Sequence, residues 1–324
     1  MQVRGFTDGC DVAQALVVRE VELRRRRDGS DYLRLLLGDR TGSVPAVVWE
    51  DVERARECCL PGEVVYVTGR FCVHQRYGPQ LAVAHLRNAE EHEYTADALL
   101  DGPARAPDQM ETDLRELLYT VQNPHLRRLL RIIFGEESQV WRRYRDAPAA
   151  KLYHQAYRHG LLEHSLTVAQ AVSALSPIFS GIDRDLAVTG ALLHDIGKLD
   201  TYELDGGAVS MADEGRLQGE IPLGYYRVRR VIETIDGFPD ALAQAVLHII
   251  LSHHGTLEHG SPVVPCTREA TLVHMVDNLG GRLGSFDRLE KQLPAGERWS
   301  AYDKALGGGA FFAAPTLEQR RVAA

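Results

Sequence analysis

The chain has 324 residues, 44% of them hydrophobic and 25% charged, and a formal net charge of −8. That length allows about two domains of ~100–200 residues, and the composition is that of a soluble globular protein with a real apolar core. The acidic balance excludes a generally basic nucleic-acid binder, so a polyanion would have to meet a local basic patch or a metal. The five cysteines, Cys10, Cys58, Cys59, Cys72 and Cys266, form no CxxC pair. They read as reduced thiols of a cytoplasmic protein and exclude a zinc ribbon. The opening MQVRGFTDGCDVAQ has no apolar run of the signal-peptide kind, and no window approaches ~18 apolar residues, so no membrane span is expected.

In chain order, residues 12–87 read as strands. QALVVREVELRRRR opens them, and DYLRLLLGD (31–39) and GSVPAVVWE (42–50) follow, bounded by Gly and Asp. EVVYVTGRFCV (63–73) and QLAVAHLR (80–87) come after a short helical insert near 50–59. Five strands with a helix after the third suit an OB-type barrel, with an SH3-like barrel as the alternative. Residues 95–110 hold Pro, Gly and several Ala and read as a linker. Beyond them METDLRELLYTVQNPHLRRLLRIIFG has a helical period that stops at Gly135, and similar runs cover 161–175, 184–194, 220–235, 239–251 and 268–279. The tail after Gly280 reads as turn-rich. The expected fold class is therefore an α+β multidomain chain, with a five-stranded barrel over 1–94 and an all-α domain over 111–324.

Ten of the thirteen histidines lie in the helical half. His164, the pair His194-Asp195, His253, His254 and Asp277 each follow an apolar helical run, so each can point inward from its own helix. Neutral imidazoles and ionised carboxylates are ligands that Mn, Fe, Ni and Zn share, and helices converging on a core metal are an established design. A lone His on an apolar helix is more often a hydrogen-bonded core residue. The run LLHDIGK (192–198) says more, because the apolar stretch, the HD pair and the Gly-Lys ending occur together. No GxSxG or GxxxxGK[ST] is present, which removes a serine hydrolase elbow and a P-loop.

His164, His194-Asp195 and Asp277 in this order resemble the HD superfamily of metal-dependent phosphohydrolases. The resemblance implies that these four residues hold one metal. YHQAYRHGLLEHSL (153–166), LSHHGTLEHGSP (251–262), REATLVHMVDNL (268–279) and RWSAYDKAL (298–306) further resemble the YhaM family of bacterial 3′-to-5′ exoribonucleases, as do YLRLLLGDRTGSVPAVVW (32–49) and GEVVYVTGRF (62–71). That family has an N-terminal OB fold and a C-terminal HD domain. Two positions depart from its pattern. Glu220 stands in LQGEIPLG where a second-metal histidine is expected, and Gly280 and Gly281 stand where an Asp tends to follow.

The resemblance implies a metal-dependent 3′-5′ exonuclease that hydrolyses single-stranded RNA, with DNA as a further substrate, by metal-activated hydroxide. Asp195 would bridge to a second ion finished by His253 or His254 and Glu220. One or two ions are expected, Mn²⁺ first, with Mg²⁺, Fe²⁺, Ni²⁺ and Co²⁺ as alternatives. Lys198 would pair with a phosphate oxygen or be a solvated helix-end lysine. His154, His159 and Glu163 would orient ligands, and Glu258 and Ser261 would shape the substrate channel. On the barrel, Tyr32, Arg34, Arg76 and Tyr77 are candidates for nucleic-acid binding. Trp49 and Phe71 are expected in the barrel core, and RRRRDGSD (24–31) as a phosphate-touching loop or a solvated hairpin end. A homo-oligomer is implied by the family alone. The competing readings are a nucleotide or cyclic-dinucleotide phosphohydrolase and a non-catalytic single-strand-binding protein.

Overall fold

The computed structural model describes residues 1–26, 28–74, 78–99, 102–103, 105–151, 155–205, 208–293, 297–304 and 306–313. By backbone proximity the chain divides into residues 1–100 with 282–324, and residues 101–281. This differs from the split at 94 and 111 expected from composition, and it places the chain's last segment with the barrel.

The first unit is built on β1 (Asp11–Arg25), β2 (Asp31–Asp39), β3 (Gly42–Val48), α1 (Val52–Cys58), β4 (Val64–His74) and β5 (Gly78–Asn88). The strands close in the order β1-β2-β3-β5-β4, with β3 and β5 parallel and the other pairs antiparallel. β1 serves two neighbours: Asp11–Val17 pairs with β4, and Val17–Arg25 pairs with β2 across an irregularity between Val18 and Glu20. A bulge of that kind bends a strand enough to close a sheet on itself. Alternate residues Leu33, Leu35 and Leu37 of β2 point inward, as do Leu16, Val65, Val67 and Leu81. β4 has a second irregularity at Thr68/Gly69, where a Cβ on Gly69 would lie 2.2 Å from the Ala82 carbonyl oxygen. Only glycine lets β5 approach so closely there. The buried carboxylate of Asp39 accepts from the backbone N–H groups of Val3, Thr41 and Gly42, which fixes the β2–β3 turn. Phe71 is buried as expected. Trp49 is not: it is 43% exposed.

The second unit begins after the short α2 (Ala96–Leu99) of the barrel unit. It holds α3 (Pro107–Thr120), α4 (Pro124–Phe134), α5 (Gln139–Asp146), α6 (Gly160–Leu175), α7 (Arg184–Leu193), α8 (Lys198–Thr201), the hairpin β6 (Tyr202–Asp205) and β7 (Ala208–Met211), α9 (Asp213–Gln218), α10 (Glu220–Glu233) and α11 (Asp240–Ser252). The run from Met110 to Gly135 is two helices, not one. Pro124 lacks the N–H that a helix interior needs, and the Asn123 side chain accepts from His125 N and Leu126 N to start α4 afresh. α6 and α7 carry the most buried sequence, including Leu161, Leu166, Ala169, Ala187, Ala191 and Leu192.

The last helix, α12 (Arg268–Gln292), runs past Gly280 and Gly281, and the unit division falls between Gly281 and Arg282. The turn-rich tail expected from Gly280 therefore starts only at Leu293. Two glycines cost a helix about 1 kcal/mol each, and the burial of Leu289 on the following turns offsets that. After α12, Ser300 and Ala310 pair across a turn held by Asp303, which also meets Arg288.

Candidate metal centre

His164 sits in α6, whose helix is apolar on both sides of it, and is 7% exposed. His194 and Asp195 follow the last turn of α7 and are 1% and 2% exposed. Helix α11 ends at Ser252, so His253 and His254 leave its C-terminus, and Asp277 comes from α12. Glu220 is the first residue of α10. Five segments remote in sequence thus deliver seven polar side chains to one place.

The donors fall into two groups. His164 Nε2, His194 Nε2 and an Asp277 oxygen lie within 4.8 Å of one another, and so do donors of Glu220, His253 and His254. Asp195 joins the groups. Its Oδ2 is 3.1 Å from His164 Nε2 and 3.3 Å from His194 Nε2, while its Oδ1 faces His253 Nε2 at 3.5 Å. Asp277 Oδ1 is 3.1 Å from His164 Nε2, and Glu220 Oε1 is 3.0 Å from His254 Nε2. Metal–ligand bonds of about 2.1 Å at octahedral or tetrahedral angles put donor atoms about 3.0–3.4 Å apart. The contacts of 3.0–3.3 Å fit that edge length, while His253 Nε2–Asp195 Oδ1 at 3.5 Å and His194 Nε2–Asp277 Oδ1 at 3.8 Å are wider.

The histidines are tautomerically prepared. Nδ1 of His194 faces the Ala191 carbonyl at 2.7 Å, that of His253 faces Ile250 O at 2.8 Å, and that of His254 faces His259 O at 2.9 Å. His164 Nδ1 meets Gln155 Oε1 at 3.1 Å. An oxygen that only accepts holds the proton on Nδ1 and leaves the Nε2 lone pair for a cation. His253 Nε2 is buried and makes no hydrogen bond, a costly state that a ligated ion would relieve.

The electrostatics point the same way. Burial opposes ionisation of Asp195, yet Lys198 and His194 hold its carboxyl well below the usual range. Burial likewise opposes charge on His164, but Asp195 and Asp277 outweigh it and raise the ring to about 9. The two carboxylates hold a proton where a cation would sit. Lys198 Nζ is 2.7 Å from Asp195 Oδ2 and only 14% exposed, so the lysine is an ion-pair partner of the HD aspartate and not a solvated helix end. Glu220 is kept ionised against its burial by Lys198 and by the hydrogen bond with His254.

Gly197 explains the glycine of the HDIGK run. A Cβ there would lie 1.9 Å from Glu220 O and 2.6 Å from Gly224 N. The first turn of α10 therefore packs directly on the backbone after the HD pair, and this approach brings Glu220 to the site.

A family model for the HD domain matches residues 161–281, and one for the OB-fold nucleic acid binding domain matches residues 17–88. The chain is 30% identical over 286 residues to the 3′-5′ exoribonuclease YhaM of Geobacillus sp. (strain WCH70), covering 87% of this chain and 86% of the relative. This chain belongs to the YhaM family. The YhaM of Bacillus subtilis (strain 168) is 29% identical over 293 residues, 89% of this chain and 90% of its own. Among solved structures, the second OB-fold domain of replication protein A from Methanococcus maripaludis covers 28% of this chain and 95% of its own. Its identity is 18% and its TM-score 0.24, too low to carry weight.

Around the ligands of this YhaM-family site, Glu163 is buried and accepts from Tyr157 Oη at 2.5 Å and Gln155 Nε2 at 3.5 Å. Gln155 in turn meets His164, so Glu163 is linked to His164 through Gln155. Neither Gln155 nor Tyr157 was singled out from sequence, although both lie in the YHQAYRHG run. His159 is turned elsewhere, to the Arg145 carbonyl at 2.7 Å and to Asp146. His154 lies outside the described residues. Ser261 is buried with its Oγ unpaired, and Glu258 is exposed.

On the barrel, the Tyr32 ring stacks on Trp49 at 4.9 Å and 28°, and the Arg26 guanidinium lies 4.3 Å over Trp49. Arg26, Trp49 and Tyr32 form a partly exposed column. The expectation that Trp49 is core is therefore corrected. The indole follows the last residue of β3, beyond the barrel interior. Arg34 is exposed on β2, and Arg76 and Tyr77 lie outside the described residues. No helix among the described residues is long and apolar enough to cross a membrane.

Proposed function

We propose that this chain is a metal-dependent 3′-5′ exonuclease of single-stranded RNA, with single-stranded DNA as a further substrate. The observation that carries the reading is the pair of donor groups sharing Asp195. His164, His194, Asp195 and Asp277 would hold one divalent ion, and Asp195, Glu220, His253 and His254 a second. Two oxygen donors in the second group, Glu220 and Asp195, favour Mn²⁺ or Mg²⁺ over softer ions, and its two imidazoles favour Mn²⁺ of these two. Divalent ions bound there supply Lewis-acid charge to the phosphodiester and lower the pKa of water.

The protein's own part is orientation. Backbone carbonyls and Gln155 fix the imidazoles, and Lys198 holds Asp195 ionised between the groups. The Arg26–Trp49–Tyr32 column supports base stacking with a cation at one end, the sequence-tolerant mode of single-strand binding. Glu220 occupies its place in the second group, which weighs against a decayed, non-catalytic site. Family resemblance further carries a homo-oligomer, and the five unpaired cysteines support a cytoplasmic location.

The test is a gel time course with 5′-labelled single-stranded RNA and DNA, in Mn²⁺ and in EDTA. A descending ladder stopped by EDTA is expected. Intact oligonucleotides under Mn²⁺, with hydrolysis of mononucleotides or tight binding instead, would refute the exonuclease reading.

A further inference from the structure

His274 lies on α12 three residues before Asp277, so the two share a helix face. With His253, His254, His259, Asp277 and Asn278 it lines a cleft of about 290 Å³. Its Nδ1 faces the His253 carbonyl at 2.7 Å. A carbonyl only accepts, so the proton sits on Nδ1, and Nε2 of the neutral ring carries a lone pair. That nitrogen has no partner among the described residues and belongs to neither donor group.

The backbone beneath is shaped for this ring. Gly255 adopts φ +84°, and a Cβ on it would lie 2.1 Å from His274 Cε1 and 2.3 Å from Nε2. Any side chain there would evict the imidazole. The cleft lining contains no Lys or Arg, so this wall offers an acceptor and not a phosphate clamp. Phosphate oxygens only accept and would be repelled by a lone pair, whereas ribose hydroxyls donate. In a nucleic-acid strand, only the last ribose carries a free 3′-hydroxyl.

We infer that His274 Nε2 accepts a hydrogen bond from the free 3′-hydroxyl of the terminal ribose, and so selects strand ends. This rests on the exonuclease reading above and names the group by which that site recognises its substrate. His274 touches substrate and is distinct from the metal ligands.

The test uses full-length protein and RNA oligonucleotides that differ only in the last ribose: the 2′,3′-diol, 2′-deoxy, 3′-deoxy, and 2′- or 3′-fluoro. A neutral hydrogen bond is worth about 3- to 10-fold in kcat/KM. The 3′-deoxy end is expected to be poorer by that factor, and the 2′-deoxy end to match the diol. The matching fluoro end, which cannot donate, is expected to be equally poor. In His274→Asn the amide N–H still reaches the His253 carbonyl, but the amide oxygen stops short of the Nε2 position, so no acceptor remains there and the diol-to-deoxy ratio should fall to about one. Native mass spectrometry should count the same bound Mn²⁺ in variant and wild type.

Equal wild-type rates on the diol and the 3′-deoxy end overturn the inference, as does a defect confined to the 2′-deoxy end or a 3′-fluoro end that matches the hydroxyl. Retention of the preference in the variant, or loss of an ion from it, also overturns it. These wild-type arms decide the matter even if the variant fails to fold. Failure of wild type to cleave any oligonucleotide would instead remove the exonuclease reading itself.

Discussion

Replacing Glu220 by Gln separates the two donor groups. Glu220 Oε1 lies 3.0 Å from His254 Nε2 and belongs to the group with His253, while the group of His164, His194 and Asp277 does not include it. The carboxyl is ionised despite its burial, because Lys198 and His254 hold it below the usual range. The substitution therefore removes a full charge at nearly constant volume, and leaves the shared Asp195 as the one carboxylate, among the described residues of that donor group, to face a second ion. Loss of a residue that merely orients a ligand costs about 10–100-fold in metal affinity. Loss of an anionic donor should cost more than about 100-fold, or about 2.7 kcal/mol at 1.36 kcal/mol per decade. Titration of metal-free protein with Mn²⁺, followed calorimetrically and by the spin-resonance signal of free Mn²⁺, reads both affinities. Two binding steps are expected for wild type. Glu220→Gln should keep one within about threefold and lose the other, and Asp195→Asn should weaken both. Two unchanged steps in Glu220→Gln, or one unchanged step in Asp195→Asn, would refute the shared-carboxylate arrangement.

Gly197→Ala should act on the same ion from a distance. Its Cβ must displace the Glu220 backbone, so the second binding step weakens while the first survives, with a loss of about 1–3 kcal/mol in denaturant stability. An unchanged Mn²⁺ titration would show that α10 does not need that close approach. Trp49→Ala should weaken single-stranded RNA binding by about 1–3 kcal/mol, measured by fluorescence anisotropy, without changing the salt slope, because the indole carries no charge. Affinity equal to wild type would remove the column from the interface. Burial, with the neighbouring Cys58, pushes the Cys59 thiol up to about 12. The thiolate is the nucleophile, so in native protein at pH 8.5 Cys59 should resist alkylation while the exposed Cys266 reacts. Peptide mass mapping with and without denaturant checks this, and native labelling of Cys59 would contradict its burial.

Much of the architecture was legible in the residues. Alternation in DYLRLLLGD and its neighbours, with an insert after the third strand, reflects a sheet with one buried face, and the barrel has that order. The candidate ligand histidines were legible because each ends or interrupts an apolar helical run, and because the HD pair occurs together with a Gly-Lys ending. Periodicity reports which face of an element is apolar, not where the element stops or what it meets. Helix α12 continues through Gly280 and Gly281, and the pattern before Gly135 breaks at Asn123-Pro124, because capping and packing outweigh a weak local propensity. Trp49 looked like core because it ends an apolar strand, yet it lies exposed beneath Arg26.

The sequence by itself determined the residue types able to hold a divalent cation, and most of the elements that present them. Only the tertiary structure decided that Glu220 reaches His254, that Lys198 pairs with Asp195, and that His274 turns toward the same cleft. These are contacts between segments distant in the chain, set by backbone approaches such as those at Gly197 and Gly255. A local pattern carries no record of such a distance, because what fixes it is the absence of a side chain where two backbones or a ring must meet.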